Sequence, residues 1–280
     1  MSEHMVDKQC ILLAAGRATR LMPATIELPK AMLSVPYNGK VEPIIQVVFE
    51  GLKERYGINH FIIPIDKGTS GQIIERHFTP NNGLVEYLLA KGKDAEAGEL
   101  KAFYSKLNST KIDFIKVDEP LGTGYMLLLA ESKIKNEFMV AASDTIINDL
   151  PELSGNSVAL AQMQISEEEF GKKNYSTVEL GKDGTITSLA VKPQSFQNPI
   201  RIVPLFTTDA RIFDFIRKSD RVNGEIDVKE ALRLQIESGI KYKGAIIPYD
   251  SVYDFGNVRA FTESMQRLAS KQRTKSKTTA

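Results

Sequence analysis

The stretch LAAGRATRLMPATIELPKAML, residues 13–33, concentrates residue types that bind phosphate groups. Small residues at Gly16 and Ala18 allow backbone N–H groups to approach a ligand, and Arg20 and Lys30 supply positive charge, as a nucleoside triphosphate requires. The run contains neither the GxxxxGK[ST] pattern nor GxGxxG, so it belongs to neither of those loop types. An ordinary surface loop of the same composition is the alternative at this point.

This loop lies between elements that could hold it in place. Residues 9–15 (QCILLAA) form a near-continuous apolar run, which predicts a strand covered on both faces of a parallel sheet. A helical apolar stripe begins at Pro43 and ends at Gly57, and the apolar HFIIPID follows it as a second strand. The opening of the chain is therefore predicted to be strand, loop, helix and strand.

The same alternation continues and predicts the fold class. A strand at 113–117, a helix at 124–134 and the apolar EFMVAA, which runs into Asp144, follow in order. We therefore predict an α/β fold with a Rossmann-like, mostly parallel mixed sheet flanked by helices. Shorter apolar runs after residue 158 predict strands that extend the sheet or form a small β elaboration.

The chain contains no internal repeat and no linker, which favours a single domain over residues 6–270. The polar, helix-prone segment 80–110 is predicted to be an inserted helical flap. Residues 271–280, which are rich in lysine, are predicted to be a disordered basic tail.

Composition restricts the partners of this protein. The 280 residues are 42% hydrophobic and 25% charged, which is ordinary for a globular protein, and Lys plus Arg (36) nearly balances Asp plus Glu (35). A net charge of +1 provides no overall field for nucleic acid or an anionic membrane, so any anion site must be local. The single cysteine, Cys10, fits a reducing compartment, and no apolar run has the length of a membrane span. We expect a cytoplasmic protein with no nucleic-acid or membrane partner.

The loop resembles the signature of the sugar-phosphate nucleotidyltransferases, which is approximately LAAGxGTRLxPxTxxxPKxxLPV, and its second half resembles the UTP:glucose-1-phosphate uridylyltransferase branch. Further matches follow in the order of the family: GTG within 121–125, Asp144 after an apolar strand, VKP at 191–193, GEIDVKEALR from Gly224 and VYDFGN from Val252. The resemblance implies a Rossmann-like fold, UTP and glucose 1-phosphate as substrates, UDP-glucose and pyrophosphate as products, and Mg²⁺ as cofactor.

The resemblance also implies roles for individual residues. Arg20 and Lys30 would bind the triphosphate and stabilise the charge of the departing pyrophosphate, and Lys192 would hold the phosphate of the sugar 1-phosphate as the third catalytic residue. Asp144 and Asp254 would bind Mg²⁺, which prefers a few carboxylates together with phosphate oxygens. The implied nucleotide contacts are Ala14, Ala15, Gly16, Arg17, Thr19, Glu119, Gly122 and Gly124, and the implied sugar-phosphate contacts are Asp144, Tyr175, Lys192 and Glu225.

Several positions depart from the family pattern. Ala18 replaces a glycine, which requires that residue to keep a negative φ. Val191 replaces a glutamate that contacts sugar hydroxyls, and Ser176 replaces a glycine beside Tyr175. Glu119 stands where the uridylyltransferase branch has a glutamine, and a carboxylate suits uracil N3–H or the paired donors of guanine.

These departures leave the base and the sugar open. The alternatives are the same chemistry with dTTP, CTP or GTP or with another sugar 1-phosphate, and a non-catalytic nucleotide-sugar sensor. Self-association of the chain through the insertion at 80–110 also stays open.

Overall fold

A computed structural model of the protein describes residues 7–163, 175–193, 195 and 198–278. The strands are β1 (Gln9–Leu13), β2 (Ser34–Tyr37), β3 (Lys40–Pro43), β4 (His60–Asp66), β5 (Lys111–Val117), β6 (Phe138–Ala142), β7 (Thr145–Ile147), β8 (Ser157–Gln162), β9 (Thr177–Leu180), β10 (Ile186–Ala190), β11 (Ile200–Thr208), β12 (Lys243–Ile247) and β13 (Val252–Asp254). The α-helices are α1 (Ile44–Tyr56), α2 (Thr69–His77), α3 (Asn82–Ala90), α4 (Asp94–Asn108), α5 (Thr123–Ala130), α6 (Ile212–Lys218), α7 (Val228–Glu237) and α8 (Val258–Thr278).

Nine of these strands form one mixed sheet, which confirms the predicted fold class. Strands β5, β4, β1 and β6 are parallel neighbours in that order, and β11 continues the sheet antiparallel to β6. Strand β11 also pairs with β8 and β9, and β8 pairs with β12. Cys10, Ile11 and Leu12 have no solvent exposure, because helices cover both faces of the central strands.

The helical boundaries near the phosphate-binding candidates follow local sequence signals. Helix α1 begins directly after Pro43, and its last turn is closed by Gly57, whose φ of 67° is the left-handed conformation that favours glycine. The buried residues of this helix, including Phe49, pack on the sheet. None of the helices within the described ranges is both long and apolar enough to cross a membrane.

The segment 80–110 contains α3 and α4, and α4 packs against α1. The Phe103 ring meets the Phe49 ring edge-on with 6.4 Å between centroids. Lys106 pairs with Glu50 and lies 2.7 Å from a carboxylate oxygen of Glu54. Val85 of α3 and Phe103 of α4 are buried in the same hydrophobic cluster as Phe49, so both helices are part of the core on that side of the sheet.

Helix α8 extends further than the sequence pattern indicated. It continues through Thr278 and therefore runs through residues 271–278, where a disordered tail was expected. Lysine, arginine and glutamine have high intrinsic helix propensity, and a composition rich in them is compatible with either state.

A glycine turn before α5 packs directly on the segment that leads into α7. Gly122 adopts a φ of 92°, and the Gly124 N–H donates to the Ile226 carbonyl over 2.8 Å while the Ile226 N–H donates to the Leu121 carbonyl over 2.9 Å. A Cβ atom on Gly122 would lie 2.4 Å from the Ile226 oxygen. The glycines therefore permit a close approach of two backbones.

We expect Gly122→Ala to destabilise the protein by at least about 2 kcal/mol, because it combines an unfavourable left-handed alanine with a backbone clash. The matched control is Gly98→Ala within α4, where an added Cβ meets no atom within 4 Å. That change should raise the free energy of unfolding by about 0.5 kcal/mol through helix propensity. Urea unfolding of both variants measures the difference, and equal stabilities would contradict this account of the turn.

Candidate active site

The loop after β1 and the loop after β6 meet at the carboxyl edge of the sheet. The register pairs Leu13 with Ala142, and the Ser143 N–H donates to the Leu13 carbonyl over 3.2 Å. Ala14 and Ala15 are buried at this junction, whereas Gly16 is exposed. Ligands of open α/β sheets bind outside the carboxyl ends of the strands, so this junction is the expected place for a site.

The backbone at Ala18 corrects one expectation from the sequence. Its φ is 50°, whereas a negative φ was expected for a non-glycine residue at this position. The Ala18 carbonyl accepts hydrogen bonds from the Leu21 N–H over 3.0 Å and from the Thr25 hydroxyl over 2.9 Å. These two bonds hold the left-handed turn that the glycine of the family pattern would adopt without strain.

Lys30 and Asp144 form an ion pair across this edge. A short 3₁₀ turn (Lys30–Met32) after Pro29 carries the lysine, and Asp144 lies between β6 and β7. Burial acts to raise the pKa of Asp144, but the charge and hydrogen bond of Lys30, a backbone N–H and the Thr145 hydroxyl hold that pKa below its ordinary value. Asp144 is therefore a carboxylate at neutral pH.

Asp254 is brought beside Asp144 by a two-stranded ribbon. Strands β13 and β7 pair antiparallel with Asp254 opposite Thr145, and the Phe255 N–H donates to the Asp144 carbonyl over 3.1 Å. Burial and then the charge of Asp144 raise the pKa of Asp254. The Gly256 N–H donates to an Asp254 carboxylate oxygen over 2.7 Å and opposes that rise.

The two aspartates fit a divalent cation. A like charge next to a buried carboxylate is unfavourable, and a cation between them would relieve the repulsion. No cluster of three or more His, Cys, Asp or Glu side chains with metal-binding geometry occurs in the described part of the chain. Mg²⁺ needs only one or two protein carboxylates when phosphate oxygens complete its shell, so this pair is chemically sufficient.

Lys192 lies at a second cationic position beyond β10. Its Nζ is 3.1 Å from an Asp227 carboxylate oxygen, and its φ of 48° is positive. The Lys192 N–H donates to the buried Ser176 hydroxyl over 3.3 Å. Ser176, which the sequence placed near the sugar, therefore contacts the backbone that orients Lys192.

Asp227 pairs with the candidate residue Lys192, and the sequence did not single it out. It caps α7 by accepting a hydrogen bond from the Lys229 N–H over 3.1 Å. Burial acts to raise its pKa, but Lys229, Lys192 and the backbone hold that pKa below its ordinary value. The helix-start pattern in GEIDVK was visible in the sequence, but nothing in it indicated that the capping carboxylate also pairs with Lys192.

Several of the predicted ligand contacts are exposed residues. Arg17, Thr19, Arg20, Glu119 and Glu225 are all exposed, and Glu225 is tied through its backbone to Val222. Gly122 and Gly124 have Ile226 as their close neighbour. Contacts of these residues with a nucleotide or sugar stay predictions.

Tyr175 and Arg201 connect the aspartate pair with the Lys192 side of the site. The Arg201 guanidinium lies over the Tyr175 ring, 4.9 Å from its centroid. Burial raises the pKa of the Tyr175 hydroxyl, and the charge of Arg201 reaches both Tyr175 and Asp254. Arg201 was not a candidate from the sequence, because an arginine within an apolar strand pattern carries no motif.

Comparison with curated proteins gives relatives that match most of this chain. A bifunctional protein GlmU of Methanococcus maripaludis is 29% identical over 235 residues, which cover 82% of this chain and 47% of that protein. The UTP--glucose-1-phosphate uridylyltransferase YngB of Bacillus subtilis is 29% identical over 242 residues, which cover 81% of this chain and 78% of that protein. The chain spans about half the length of the GlmU relatives that it matches.

Solved structures share the fold. A UDP-glucose pyrophosphorylase complexed with UDP-glucose superposes with a TM-score of 0.73 and 22% identity, covering 96% of this chain and 100% of the other. The apo form of a UDP-glucose pyrophosphorylase gives a TM-score of 0.79 with 20% identity and the same coverage. The nucleotidyl transferase family matches residues 9–271, from β1 into α8. The chain therefore belongs to the nucleotidyl transferase family.

Proposed function

We propose that this protein transfers a uridylyl group from UTP to glucose 1-phosphate, giving UDP-glucose and pyrophosphate. The observation that carries the proposal is the meeting of Lys30, Asp144 and Asp254 at the carboxyl edge of the sheet, beside the loop after β1. The membership of the family and the relatives with uridylyltransferase names support the choice of substrates.

The proposed reaction joins two anions, so charge neutralisation is the main task of the residues. An oxygen of the sugar phosphate attacks the α-phosphorus, a new P–O bond forms, and the bond to pyrophosphate breaks. A phosphate monoester has a second pKa of about 6 and is largely a dianion at pH 7, so no general base is required. His60 fits this view, since its ring nitrogens are occupied by Gln9 and Asp113 at the opposite edge of the sheet.

Each candidate residue takes one part of this task. Lys30, together with the exposed Arg20, binds the triphosphate and stabilises charge on the departing pyrophosphate. Asp144 and Asp254 hold Mg²⁺, which when bound supplies positive charge to the phosphate oxygens. Lys192 binds the phosphate of the acceptor and exchanges its present contact with Asp227 for that phosphate.

The first test is pyrophosphate release by the full chain with Mg²⁺ and glucose 1-phosphate, with UTP, dTTP, CTP, GTP and ATP offered separately. We expect release to be selective for UTP. If release is selective for another triphosphate, the proposed reaction stands and the proposed base is wrong. The absence of release with all five would contradict the proposal with this acceptor and favour another sugar phosphate or a non-catalytic sensor.

Lys192→Ala should lower kcat/KM by roughly a hundredfold to a thousandfold, because one preorganised charge contact is lost. The fold should survive, since Lys229 lies 3.5 Å from Asp227 and still neutralises it. The control is Lys243→Ala, which removes an exposed lysine paired with Asp183 at 2.8 Å and should leave turnover unchanged. Equal activities of the two variants would remove Lys192 from the proposed site.

Asp144→Asn should also abolish most turnover, with a loss of roughly a hundredfold or more, because an amide is a much weaker ligand for Mg²⁺ than a carboxylate. The dependence of the rate on Mg²⁺ concentration measures the effect and should shift to higher concentrations. Asp183→Asn, which neutralises an exposed carboxylate, is the matched control. Wild-type Mg²⁺ dependence in Asp144→Asn would show that the cation binds elsewhere.

A further inference from the structure

Arg201 is a buried cation within the edge of the sheet that carries the candidate site. It lies near the start of β11, opposite Ala161 of β8 and Thr177 of β9. Only 6% of the Arg201 surface is exposed to solvent. Side chains alternate along a strand, so Arg201 lies on the same face of β11 as Val203. Val203 belongs to a hydrophobic cluster that includes Tyr253 and Phe255, the two residues that flank Asp254 in the sequence.

The guanidinium of Arg201 is incompletely satisfied. Its Nε is buried and has no hydrogen-bond partner among the residues that the structure describes. Within the same described ranges, no carboxylate lies within ion-pair distance of it. A buried charge without a hydrogen-bonded partner is strongly unfavourable, whereas the same charge next to an anion is stabilised.

The hydrogen-bonding chemistry of the guanidinium suits it to an oxyanion. The Arg201 guanidinium lies over the Tyr175 ring, 4.9 Å from its centroid. The N–H donors of a guanidinium point outward in its plane, in a fork that matches the two oxygens of a phosphate or carboxylate. The Nε–H donor has no partner among the described residues, so it can donate to such an oxygen.

The neighbouring charges have other partners. Lys30 pairs with Asp144, and Lys192 pairs with Asp227. Asp254 lies close enough for the charge of Arg201 to influence it, but one of its oxygens accepts from the Gly256 N–H. Val191 packs against a hydrophobic cluster, and its side chain offers no polar group to a ligand.

We infer that Arg201 is a further substrate-binding residue, which binds an oxyanion of the acceptor sugar phosphate. This inference rests on the proposed function for the identity of the acceptor. The oxyanion is either the 1-phosphate that every such acceptor carries or an acidic group on the sugar ring. In the second case Arg201 also makes the acceptor side of the site selective for a negatively charged sugar.

The test is equilibrium binding of glucose 1-phosphate and of glucuronic acid 1-phosphate to the full chain, by calorimetry, with Mg²⁺ and a UTP analogue that cannot be cleaved. We expect Arg201→Met to weaken binding by roughly 10- to 100-fold. An equal loss for both compounds assigns Arg201 to the 1-phosphate. A loss confined to glucuronic acid 1-phosphate assigns it to the acidic group. Arg201→Lys, which keeps the charge and loses the fork, should weaken binding less than Arg201→Met.

The stability of the ligand-free protein separates binding from a structural role. Since Arg201→Met removes an unsatisfied buried charge, the Tm without ligand should be unchanged or higher, and the increase in Tm on adding the sugar phosphate should shrink. Arg76→Met, which changes an exposed arginine of α2, is the control and should bind like the wild type. Unchanged binding by Arg201→Met overturns the inference, as does the absence of measurable binding by the wild type at millimolar concentration.

Pyrophosphate release by the same preparations distinguishes this inference from the proposed function. If the wild type releases pyrophosphate and Arg201→Met binds the sugar phosphates as tightly as the wild type, the inference is overturned and the proposed function stands. If Arg201→Met binds the sugar phosphates more weakly but the wild type releases no pyrophosphate with any of the triphosphates, the inference is supported and the proposed transfer is contradicted.

Discussion

The balance of charge at the carboxyl edge of the sheet is the constraint on which the rest of the site depends. Asp144 and Asp254 lie side by side and largely out of water, and the charge of Asp144 raises the pKa of Asp254. This arrangement is stable only because Lys30 pairs with Asp144 and because backbone N–H groups bind the carboxylates. The loop after β1 must therefore reach across the edge of the sheet to place Lys30 beside Asp144.

The same constraint accounts for the small ribbon formed by β7 and β13. These strands lie outside the main sheet, yet their register fixes Asp254 opposite Thr145, one residue after Asp144. A carboxylate on a mobile loop would move away from its like-charged neighbour. Main-chain pairing of the ribbon, together with the bond from the Phe255 N–H to the Asp144 carbonyl, prevents that movement and keeps the two carboxylates together.

The sequence was sufficient to predict the structure where a local signal determines it. It was insufficient where a residue's partner lies far along the chain. The apolar run of β1, the Pro43 start and the Gly57 end of α1 are local, and the structure has them as predicted. The positive φ of Ala18 depends on two hydrogen bonds to its carbonyl, and the pairing of Asp227 with Lys192 joins different elements. Arg201 was missed for the same reason, since only the fold places Tyr175 against it.

The segment before α7 gives the two sides of the site a common support. Ile226 exchanges backbone hydrogen bonds with the glycine turn of Gly122 and Gly124, the candidate contact for the base. The next residue, Asp227, binds Lys192, the candidate contact for the acceptor phosphate. A shift of this segment would therefore move both contacts together. The backbone of this segment therefore links the two candidate contacts mechanically.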